Sequence, residues 1–444
     1  MLALLVGAVV LMAGCDWTAF RFGADRTGFN PVETSIGIAN DSTLTEEFTM
    51  QTGREVLSSP AVANGVVYFT STDKQLYAVD ATGANGCSGS PKVCTPLWTA
   101  TLGGESRSSP AVANGIVYAT SDDGTLAAFD ATGVTSCGGM PKVCAPLWTA
   151  HIGDSGFPSP AIVSGVLYVE APGPTGIDAL LLAFDAAGTT GCGGVPKTCT
   201  PLWTADLGSQ DTLTSPAIAG GRVYAATTAL LQAFDAAGNT GCTGVPKICT
   251  PLWTAQLLGG TLSSPAVAGG RVFISTLSSA RLEAYDAAGV TNCTHLTHVC
   301  SPLWVGSLGG LNGHTDSSPA VVHGIVYVGA WNGLVYAFDA AGSVGCNGGT
   351  PNICPPLWTA LTTEGGQIES SPSVANGVLY IGSNDNNLYA FDAAGNSSCT
   401  GTPKVCSPLW TTNAGGVFSS PTIVSGRVYV GSYDGKLHAY GLSP

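Results

Sequence analysis

Fourteen cysteines recur as seven local pairs, and each pair could bind a metal, exchange electrons or form a disulfide. The pairs are Cys87/Cys94, Cys137/Cys144, Cys192/Cys199, Cys242/Cys249, Cys293/Cys300, Cys346/Cys354 and Cys399/Cys406. Structural zinc prefers cysteines two to four residues apart and needs four converging ligands, whereas each pair here supplies two with six or seven residues between them. Redox catalysis favours C-x-x-C and a setting that stabilises the thiolate. Disulfides are the interpretation that these spacings favour.

The N-terminus predicts a compartment in which disulfides form. Residues 1–14 are a short apolar segment, too short to span a bilayer and of the length of a signal peptide. The "LMAGC" that ends it resembles the bacterial lipobox, which makes Cys15 the predicted lipid-anchor residue. An ordinary secretory signal is the alternative. The protein is therefore expected outside the cytoplasm, in the periplasm or at the cell surface, where cysteine pairs oxidise.

One pair encloses two histidines and offers a sharper hypothesis. The segment "CTHLTHVC" places His295 and His298 between Cys293 and Cys300, and two imidazoles with two thiolates could bind zinc or copper. The alternative is a disulfide loop that carries two exposed histidines. We favour the loop and assign no metal site.

The cysteine pairs lie at fixed places in a long internal repeat. Segments such as "SSPAVANGVVY" recur eight times at spacings of 49 to 56 residues, beginning at Ser58, Ser108, Pro158, Thr214, Ser263, Ser317, Ser370 and Ser419. Periods of this size indicate an array of supersecondary units. Because equivalent pairs fall in separate units, each pair is expected to bridge within its own unit.

Each unit predicts four short strands, A to D. In the first, "PAVA" is strand A, Asn64-Gly65 is a hairpin turn, "VVYFTS" is strand B, "LYAVDA" is strand C and "LWTATLG" is strand D. The last unit stops after strand C, while "TEEFTMQTG" precedes the first unit and aligns with strand D. We therefore predict an all-β, eight-bladed propeller of four-stranded antiparallel blades over 44–444. The N-terminal strand closes the ring, a disulfide staples the C–D connection of seven blades, and residues 15–43 form a lead-in.

The pattern "LYAVDATG" followed by a strand-D tryptophan resembles the PQQ-like (quinoprotein-type) propeller repeat, and "FRFGADRTGFNPVETSI" resembles its usual lead-in. The resemblance implies that the seven tryptophans dock between neighbouring blades. They are Trp98, Trp148, Trp203, Trp253, Trp304, Trp358 and Trp410. The aspartates that follow strand C, such as Asp80 and Asp130, are expected to cap turns.

The same resemblance implies two quite different functions. One is that of a non-enzymatic lipoprotein similar to the propeller of the outer-membrane protein assembly machinery. The other is a dehydrogenase that uses pyrroloquinoline quinone (PQQ) and Ca²⁺. The chain has neither the adjacent cysteines frequent in such dehydrogenases nor a C-x-x-C-H haem attachment motif. We therefore expect no cofactor, with PQQ and Ca²⁺ as the alternative.

The net charge of −14, with only 15 scattered Lys and Arg residues, argues against nucleic acid and against adhesion to an anionic membrane through a basic patch. Membrane contact is expected only through Cys15, and the protein is expected to be a monomer.

The variable turns of the repeat predict the functional face. The A–B and C–D connections are nearly uniform, whereas the B–C and D–A turns differ in every unit, and variable loops on a rigid scaffold commonly carry function. This face offers Arg107, His151, Phe157, His314, Asp316, Trp331, Glu369, Phe418 and Tyr433. We predict a protein-binding or scaffold module in the cell envelope, partnered by envelope proteins or a surface ligand, with a surface adhesin or glycan-binding propeller as a further alternative.

Overall fold

The chain forms a ring of eight β-sheets, which confirms the predicted all-β propeller. The computed structural model describes residues 16–153, 158–173, 178–208, 214–309, 314–362 and 366–442. Each blade has four antiparallel strands, with strand A at the central channel and strand D at the perimeter. Within the described lead-in there are two further elements, the strand Phe29–Asn30 and the 3₁₀ turn Asp41–Thr43.

The strand bounds follow the repeat closely. The A strands are Ala61–Ala63, Ala111–Ala113, Ala161–Val163, Ala217–Ala219, Ala266–Ala268, Ala320–Val322, Ser373–Ala375 and Thr422–Val424. The B strands are Val66–Ser71, Ile116–Ser121, Val166–Pro172, Arg222–Ala226, Arg271–Thr276, Ile325–Gly329, Val378–Gly382 and Arg427–Gly431. The C strands are Gln75–Asp80, Thr125–Asp130, Ala179–Asp185, Leu230–Asp235, Arg281–Asp286, Leu334–Asp339, Asn387–Asp392 and Lys436–Leu442. The D strands are Trp98–Thr101, Trp148–His151, Trp203–Asp206, Trp253–Gln256, Trp304–Ser307, Trp358–Leu361, Trp410–Asn413 and, for blade 8, Leu44–Gln51.

The N-terminal strand closes the ring as predicted. Leu44–Gln51 pairs antiparallel with Lys436–Leu442, and Phe48 lies opposite Ala439 in the position that the strand-D tryptophan has elsewhere. Phe48 is fully buried and contacts the Tyr429 ring at 6.4 Å between centroids. The last blade is therefore completed by the first strand of the chain.

All seven predicted disulfides join their cysteines within one connector. Each connector does more than link strands C and D of its own blade, because it pairs in parallel with strand D of the preceding blade. Val143, for example, lies opposite Thr99 of blade 1. The paired connector strands are Lys92–Cys94, Val143–Cys144, Thr198–Cys199, Lys247–Cys249, Val299–Cys300, Ile353–Cys354 and Lys404–Cys406. The disulfides thus stiffen hairpins that cover strand edges otherwise open to aggregation.

The strand-D tryptophans fill the spaces between blades, as the family resemblance implies. The Trp98 ring lies 6.0 Å from the Tyr68 ring of its own blade, and its Nε1 donates a hydrogen bond to the carbonyl of Ala131 in blade 2. Gly133 lies directly against the indole, since a Cβ built there would be 2.3 Å from Trp98 Cδ1. Gly133 and Trp98 therefore interlock across the junction of blades 1 and 2, and the same glycine–tryptophan contact recurs at five further junctions.

Replacing Gly133 by alanine is expected to lower the free energy of unfolding by about 1–3 kcal/mol, because the rigid indole cannot yield to the added methyl group. Gly133 also has φ of +66°, which disfavours alanine. Denaturant unfolding measures the effect. Gly115→Ala is the matched control, because Gly115 has φ of +75° and its Cβ would meet nothing within 4 Å, so this change carries only the cost of the backbone conformation. Equal effects of the two changes would contradict the interlocked junction.

The aspartates after strand C cap turns by accepting backbone hydrogen bonds from the residues that follow them. Asp130 Oδ1 accepts a hydrogen bond from the Thr132 N–H at 2.9 Å, and Oδ2 accepts one from the Thr135 N–H at 2.5 Å. Burial alone would raise the pKa of Asp130, but these hydrogen bonds hold that pKa at about 2. A permanently ionised, turn-bound carboxylate of this kind has a structural role.

Candidate functional site

The lead-in closes one end of the central channel. Its backbone passes along the innermost strands and accepts hydrogen bonds from them in turn: Val112 N–H donates to the Thr18 carbonyl, Ile218 to Ala24 and Val267 to Asp25. Two further blades continue the pattern, with Val321 donating to Thr27 and Val374 to Gly28. The segment is therefore a plug bonded around the ring on the A–B side.

Two buried arginines hold this plug in the channel. Arg26 donates to the carbonyl oxygens of Pro216 at 3.0 Å and Ser159 at 2.9 Å. Arg21 donates to those of Pro372 at 2.9 Å and Pro319 at 2.5 Å. Both side chains have no exposed surface, and burial lowers the pKa of each guanidinium to about 9, which leaves both protonated at neutral pH. They satisfy carbonyl groups that the crowded channel wall would otherwise leave without donors.

A closed ring of serines surrounds the channel next to the plug. The serine before each repeated proline donates its backbone N–H to the hydroxyl oxygen of the equivalent serine in the next blade, at 2.8 to 3.3 Å. The members are Ser59, Ser109, Ser159, Ser215, Ser264, Ser318, Ser371 and Ser420, and Ser420 returns to Ser59. The Ser-Pro pair that marks the repeat in the sequence thus links all eight blades.

Above the serine ring lies a cavity of about 240 Å³ that opens on the opposite side of the propeller, among the D–A loops. Phe20 of the plug contributes to its floor. Its rim is built from one repeat position, the residue two places before the ring serine, in the six blades where the structure describes that residue. The described rim residues are Leu57, Arg107, Leu262, Asp316, Glu369 and Phe418. The scaffold therefore presents one variable side chain from each of these six blades around the opening.

The rim carries a basic side chain on one side and two acidic side chains on the other. Arg107 belongs to blade 2, whereas Asp316 and Glu369 belong to blades 6 and 7, on the far side of the ring. Burial and the neighbouring Glu369 carboxylate raise the pKa of Asp316 to about 6. Asp316 Oδ1 is buried and accepts no hydrogen bond from any described residue. A carboxylate pair of this kind favours a cationic group between the two side chains.

Aromatic side chains flank the carboxylates. Phe418 and Tyr433 pack edge to face with centroids 6.3 Å apart, and the Tyr433 hydroxyl donates to Glu369 Oε2 at 3.4 Å. Burial and the Glu369 charge raise the pKa of Tyr433 to about 12, so its hydroxyl stays protonated. Carboxylates beside aromatic rings can bind a cationic side chain through both charge and ring face.

Replacing Asp316 by asparagine is expected to raise the melting temperature at pH 7.5 by about one or two degrees. The pKa of Asp316 is higher in the folded than in the unfolded chain, so its contribution to stability decreases as pH rises from about 4 to above 6. The asparagine variant lacks this decrease. Melting curves at pH 5 and pH 7.5 measure it, and an unchanged pH dependence would contradict the assignment.

The structure separates the remaining candidate residues from the rim. His314 and Trp331 contact each other with ring centroids 5.7 Å apart and line a second, shallower depression with Asn332 and Gln367. His151 is exposed at the end of the blade 2 D strand. Phe157 and Cys15 lie outside the described residues. Sequence reasoning missed Leu57 and Leu262, although alignment on the Ser-Pro pair places both at the rim position.

The connector with two histidines has no free thiols. Cys293 and Cys300 are joined to each other, and both His295 and His298 are exposed. The sulfurs therefore cannot act as thiolate ligands, and the zinc or copper hypothesis is wrong for the disulfide-bonded loop. Nowhere in the described ranges do three or more His, Cys, Asp or Glu side chains converge as a metal site.

The cavity can be compared with what PQQ requires. PQQ is a planar tricarboxylate, which calls for several cationic donors, whereas the described lining offers one arginine and two carboxylates. Ca²⁺ needs six to eight oxygen ligands at one point. The described lining residues of the cavity therefore fit neither PQQ nor Ca²⁺.

Comparisons with known proteins bear on the family and the fold of the chain. A family model described as outer membrane protein assembly factor BamB, of the PQQ-like repeat type, matches residues 91–187 and 196–443. A search of curated proteins finds no match. Across the described chain, no helix has the length and hydropathy needed to cross a bilayer.

Solved structures share the fold at low identity. BamB from Moraxella catarrhalis is 14% identical, with 90% of this chain and 97% of that chain covered and a TM-score of 0.59. The quinohemoprotein alcohol dehydrogenase from Comamonas testosteroni is 14% identical, with 96% and 80% covered and a TM-score of 0.64. A europium-containing methanol dehydrogenase is 13% identical, with 96% and 98% covered and a TM-score of 0.60.

These structural likenesses show the fold alone, because the same architecture serves an assembly factor and two dehydrogenases. The family match covers more than half of the chain. The chain belongs to the PQQ-like β-propeller family whose model is described as outer membrane protein assembly factor BamB.

Proposed function

We propose that this protein is a non-enzymatic binding or scaffold propeller of the bacterial cell envelope, held at a membrane by lipid on Cys15. The family description and the signal-like residues 1–14 support an extracytoplasmic place. The relative from Moraxella catarrhalis carries the name of an outer-membrane assembly factor. By this proposal, the partner is likewise an envelope protein.

One observation carries the proposal: a uniform scaffold presents one variable side chain from each of six described blades around one opening. The lead-in closes the other end, so a partner meets the channel only at the rim. Arg107 faces Asp316 and Glu369 across that rim, and the apolar Leu57 and Leu262 lie between them in the ring order. A protein surface that presents a cation, an anion and apolar contacts matches this arrangement, and electrostatic complementarity supplies its specificity.

Photo-crosslinking in intact cells tests the proposal. The photoreactive amino acid benzoylphenylalanine replaces Phe418 or Tyr433, which are aromatic already, so the rim changes little. Asn114, exposed on an A–B turn at the opposite face, is the control position. Irradiation is expected to give discrete protein adducts at Phe418 on the rim and at the adjacent Tyr433, and none of the same mass at Asn114.

Two results would overturn the proposal. Adducts only with glycans or host-surface components would instead support an adhesin. Saturable uptake of PQQ with Ca²⁺, accompanied by dye reduction, would make the protein a quinoprotein dehydrogenase. An anchored position is checked separately, since Cys15→Ser is expected to release the protein from the membrane fraction.

A further inference from the structure

The perimeter of the propeller has one D strand that lacks a connector hairpin. Seven D strands carry the parallel strand of a cysteine hairpin that comes from the following unit. In blade 7, Trp410–Asn413 pairs with Asn387–Asp392 on its inner side and with no described strand on its outer side. The reason is topological. The strand D of blade 8 is the N-terminal strand Leu44–Gln51, so no connector of blade 8 runs from its strand C to its strand D and covers the neighbouring blade.

The backbone at this edge is prepared for a strand. In four blades the second residue of strand D donates its N–H outward to a connector carbonyl. The bonds are Thr99 to Lys142 at 3.0 Å, Thr149 to Lys197 at 3.0 Å, Thr254 to His298 at 2.9 Å and Val305 to Asn352 at 2.8 Å. Thr411 holds the same position, is exposed, and its N–H finds no acceptor in the described part of the chain. One outward donor is thus presented to solvent where its counterparts are bonded.

The neighbouring tryptophan is also uncovered. The six other strand-D tryptophans are at most 3% exposed, whereas Trp410 is only half-buried. Its Nε1 donates to the Leu44 carbonyl at 3.2 Å, and its ring packs on Tyr440, so one face is held while the other meets solvent. An added strand would bury apolar ring surface as well as form main-chain hydrogen bonds.

The seven covered edges show what kind of segment fits. A β-branched residue lies opposite the second residue of strand D, as Val143 opposite Thr99, Ile248 opposite Thr204 and Val405 opposite Thr359. A lysine precedes it at the level of the tryptophan in two of these pairs, Lys247 opposite Trp203 and Lys404 opposite Trp358. Every one of these pairings is parallel.

We propose that Trp410–Thr412 is a strand-addition site that receives an extended Lys-Val or Lys-Ile segment of a partner protein, in parallel. Addition of a strand to an open sheet edge is a recurrent mode of peptide recognition, in which main-chain hydrogen bonds supply affinity. A second copy of this chain is not the occupant we infer, because two identical edges related by a two-fold axis pair antiparallel. The site lies on the perimeter and does not depend on the proposed function of the rim.

The probe is a peptide that already fits an equivalent edge. A fluorescein-labelled, disulfide-closed peptide with the sequence of residues 395–409, GNSSCTGTPKVCSPL, is titrated with the full-length protein and followed by anisotropy. Saturable binding is expected. A peptide with the same cysteine spacing and the other residues scrambled is expected to bind at least ~10-fold more weakly.

Two variants at one position make the test specific. Thr411→Pro removes the outward N–H at a strand edge, where proline is tolerated, and is expected to weaken binding at least ~10-fold. Thr411→Val keeps the N–H and should bind within about twofold of wild type. Melting temperatures check that both variants are folded.

Three results would overturn the proposal. One is the absence of saturable binding of the peptide up to millimolar protein, and a second is undiminished binding by a folded Thr411→Pro variant. The third is a concentration-dependent dimer that Thr411→Pro dissolves, because the edge would then pair with a second copy. Failure of this proposal would leave the proposed function of the rim unaffected, since none of these measurements involves Phe418 or Tyr433.

Discussion

Replacing Arg26 by methionine is expected to lower the free energy of unfolding by about 3–5 kcal/mol, because buried acceptors that lose their donor cost about 1–3 kcal/mol each, part of which is offset by no longer burying a charge. The guanidinium donates to four carbonyl oxygens, those of Phe20, Ser159, Pro160 and Pro216. Methionine fills a similar volume and leaves these acceptors buried without donors. The loss also frees the lead-in, since Arg26 connects it to blades 3 and 4.

Denaturant unfolding measures this loss, and limited proteolysis within residues 16–36 reports release of the plug. Arg54→Met is the control, because Arg54 pairs with Glu105 at the surface with 55% of its side chain exposed, and such pairs contribute at most about 1 kcal/mol. A cost for Arg26→Met no larger than that of the control would show that the plug is held by its backbone hydrogen bonds alone.

Replacing Glu170 by glutamine is expected to stabilise the protein above neutral pH. Glu170 lies on strand B of blade 3 without exposed surface, and Thr214 donates a hydrogen bond to its Oε2 at 2.7 Å. Its Oε1 is buried and accepts none from the described residues. Burial raises the pKa of Glu170 to about 8, and the nearby Arg26 only partly offsets this.

The direction in which stability changes with pH follows from the protonation of Glu170 in the folded and unfolded chain. Between pH 4.5 and 8 the folded chain holds a proton that the unfolded chain has released, so stability falls as pH rises. Each unit of difference between the folded and unfolded pKa corresponds to about 1.4 kcal/mol, so the loss of folding stability is on the order of 3–5 kcal/mol in total. Glutamine keeps the acceptor for Thr214 and has no proton to lose.

Unfolding free energies at pH 5.5 and pH 8.5 test this prediction. The wild type is expected to lose stability between the two values, whereas Glu170→Gln should lose much less. Glu105→Gln, a change to a surface carboxylate, should follow the wild type. A glutamine variant that loses as much stability as the wild type would place the titration elsewhere.

Local signals in the sequence predicted much of this fold. Asn64-Gly65 adopts positive φ at both residues, as a two-residue hairpin turn requires. The disulfide between Cys137 and Cys144 was predictable because equivalent cysteine pairs recur in separate units, which favours pairing within each unit. The missing strand D of the last unit and the surplus strand at the N-terminus matched each other. Repetition made these inferences strong, since eight copies of one pattern remove the ambiguity of each.

Contacts between units were beyond sequence reasoning. The pairing of Val143 with Thr99 joins one unit to its predecessor, and no periodicity in the sequence marks that register. The burial of Arg21 and Arg26 depends on a channel that exists only when eight blades have closed. Their spacing offered one signal: the two arginines lie five positions apart, with four residues between them, in a chain that has only eight arginines.

The candidate site was predicted in part for a similar reason. Variability between repeats selected Arg107, Asp316, Glu369 and Phe418, which the structure brings to one rim. The same criterion selected His151 and Trp331, which lie elsewhere, because variable turns occur at both small and large radius on that face. The distance of a residue from the channel axis depends on its position within the repeat unit. The sequence does not contain this distance, so the rim position is recognisable only in the closed ring.

The closure of the ring has a consequence for synthesis in the cell. Leu44–Gln51 leaves the ribosome early, yet its partner Lys436–Leu442 is made only at the end of the chain. This strand can pair early with the connector strand Lys92–Cys94 on its outer side, but it must remain without its inner neighbour while seven blades emerge. Open strand edges invite wrong pairing. Export before folding would remove the interval, because the whole chain would then be present when the ring first closes.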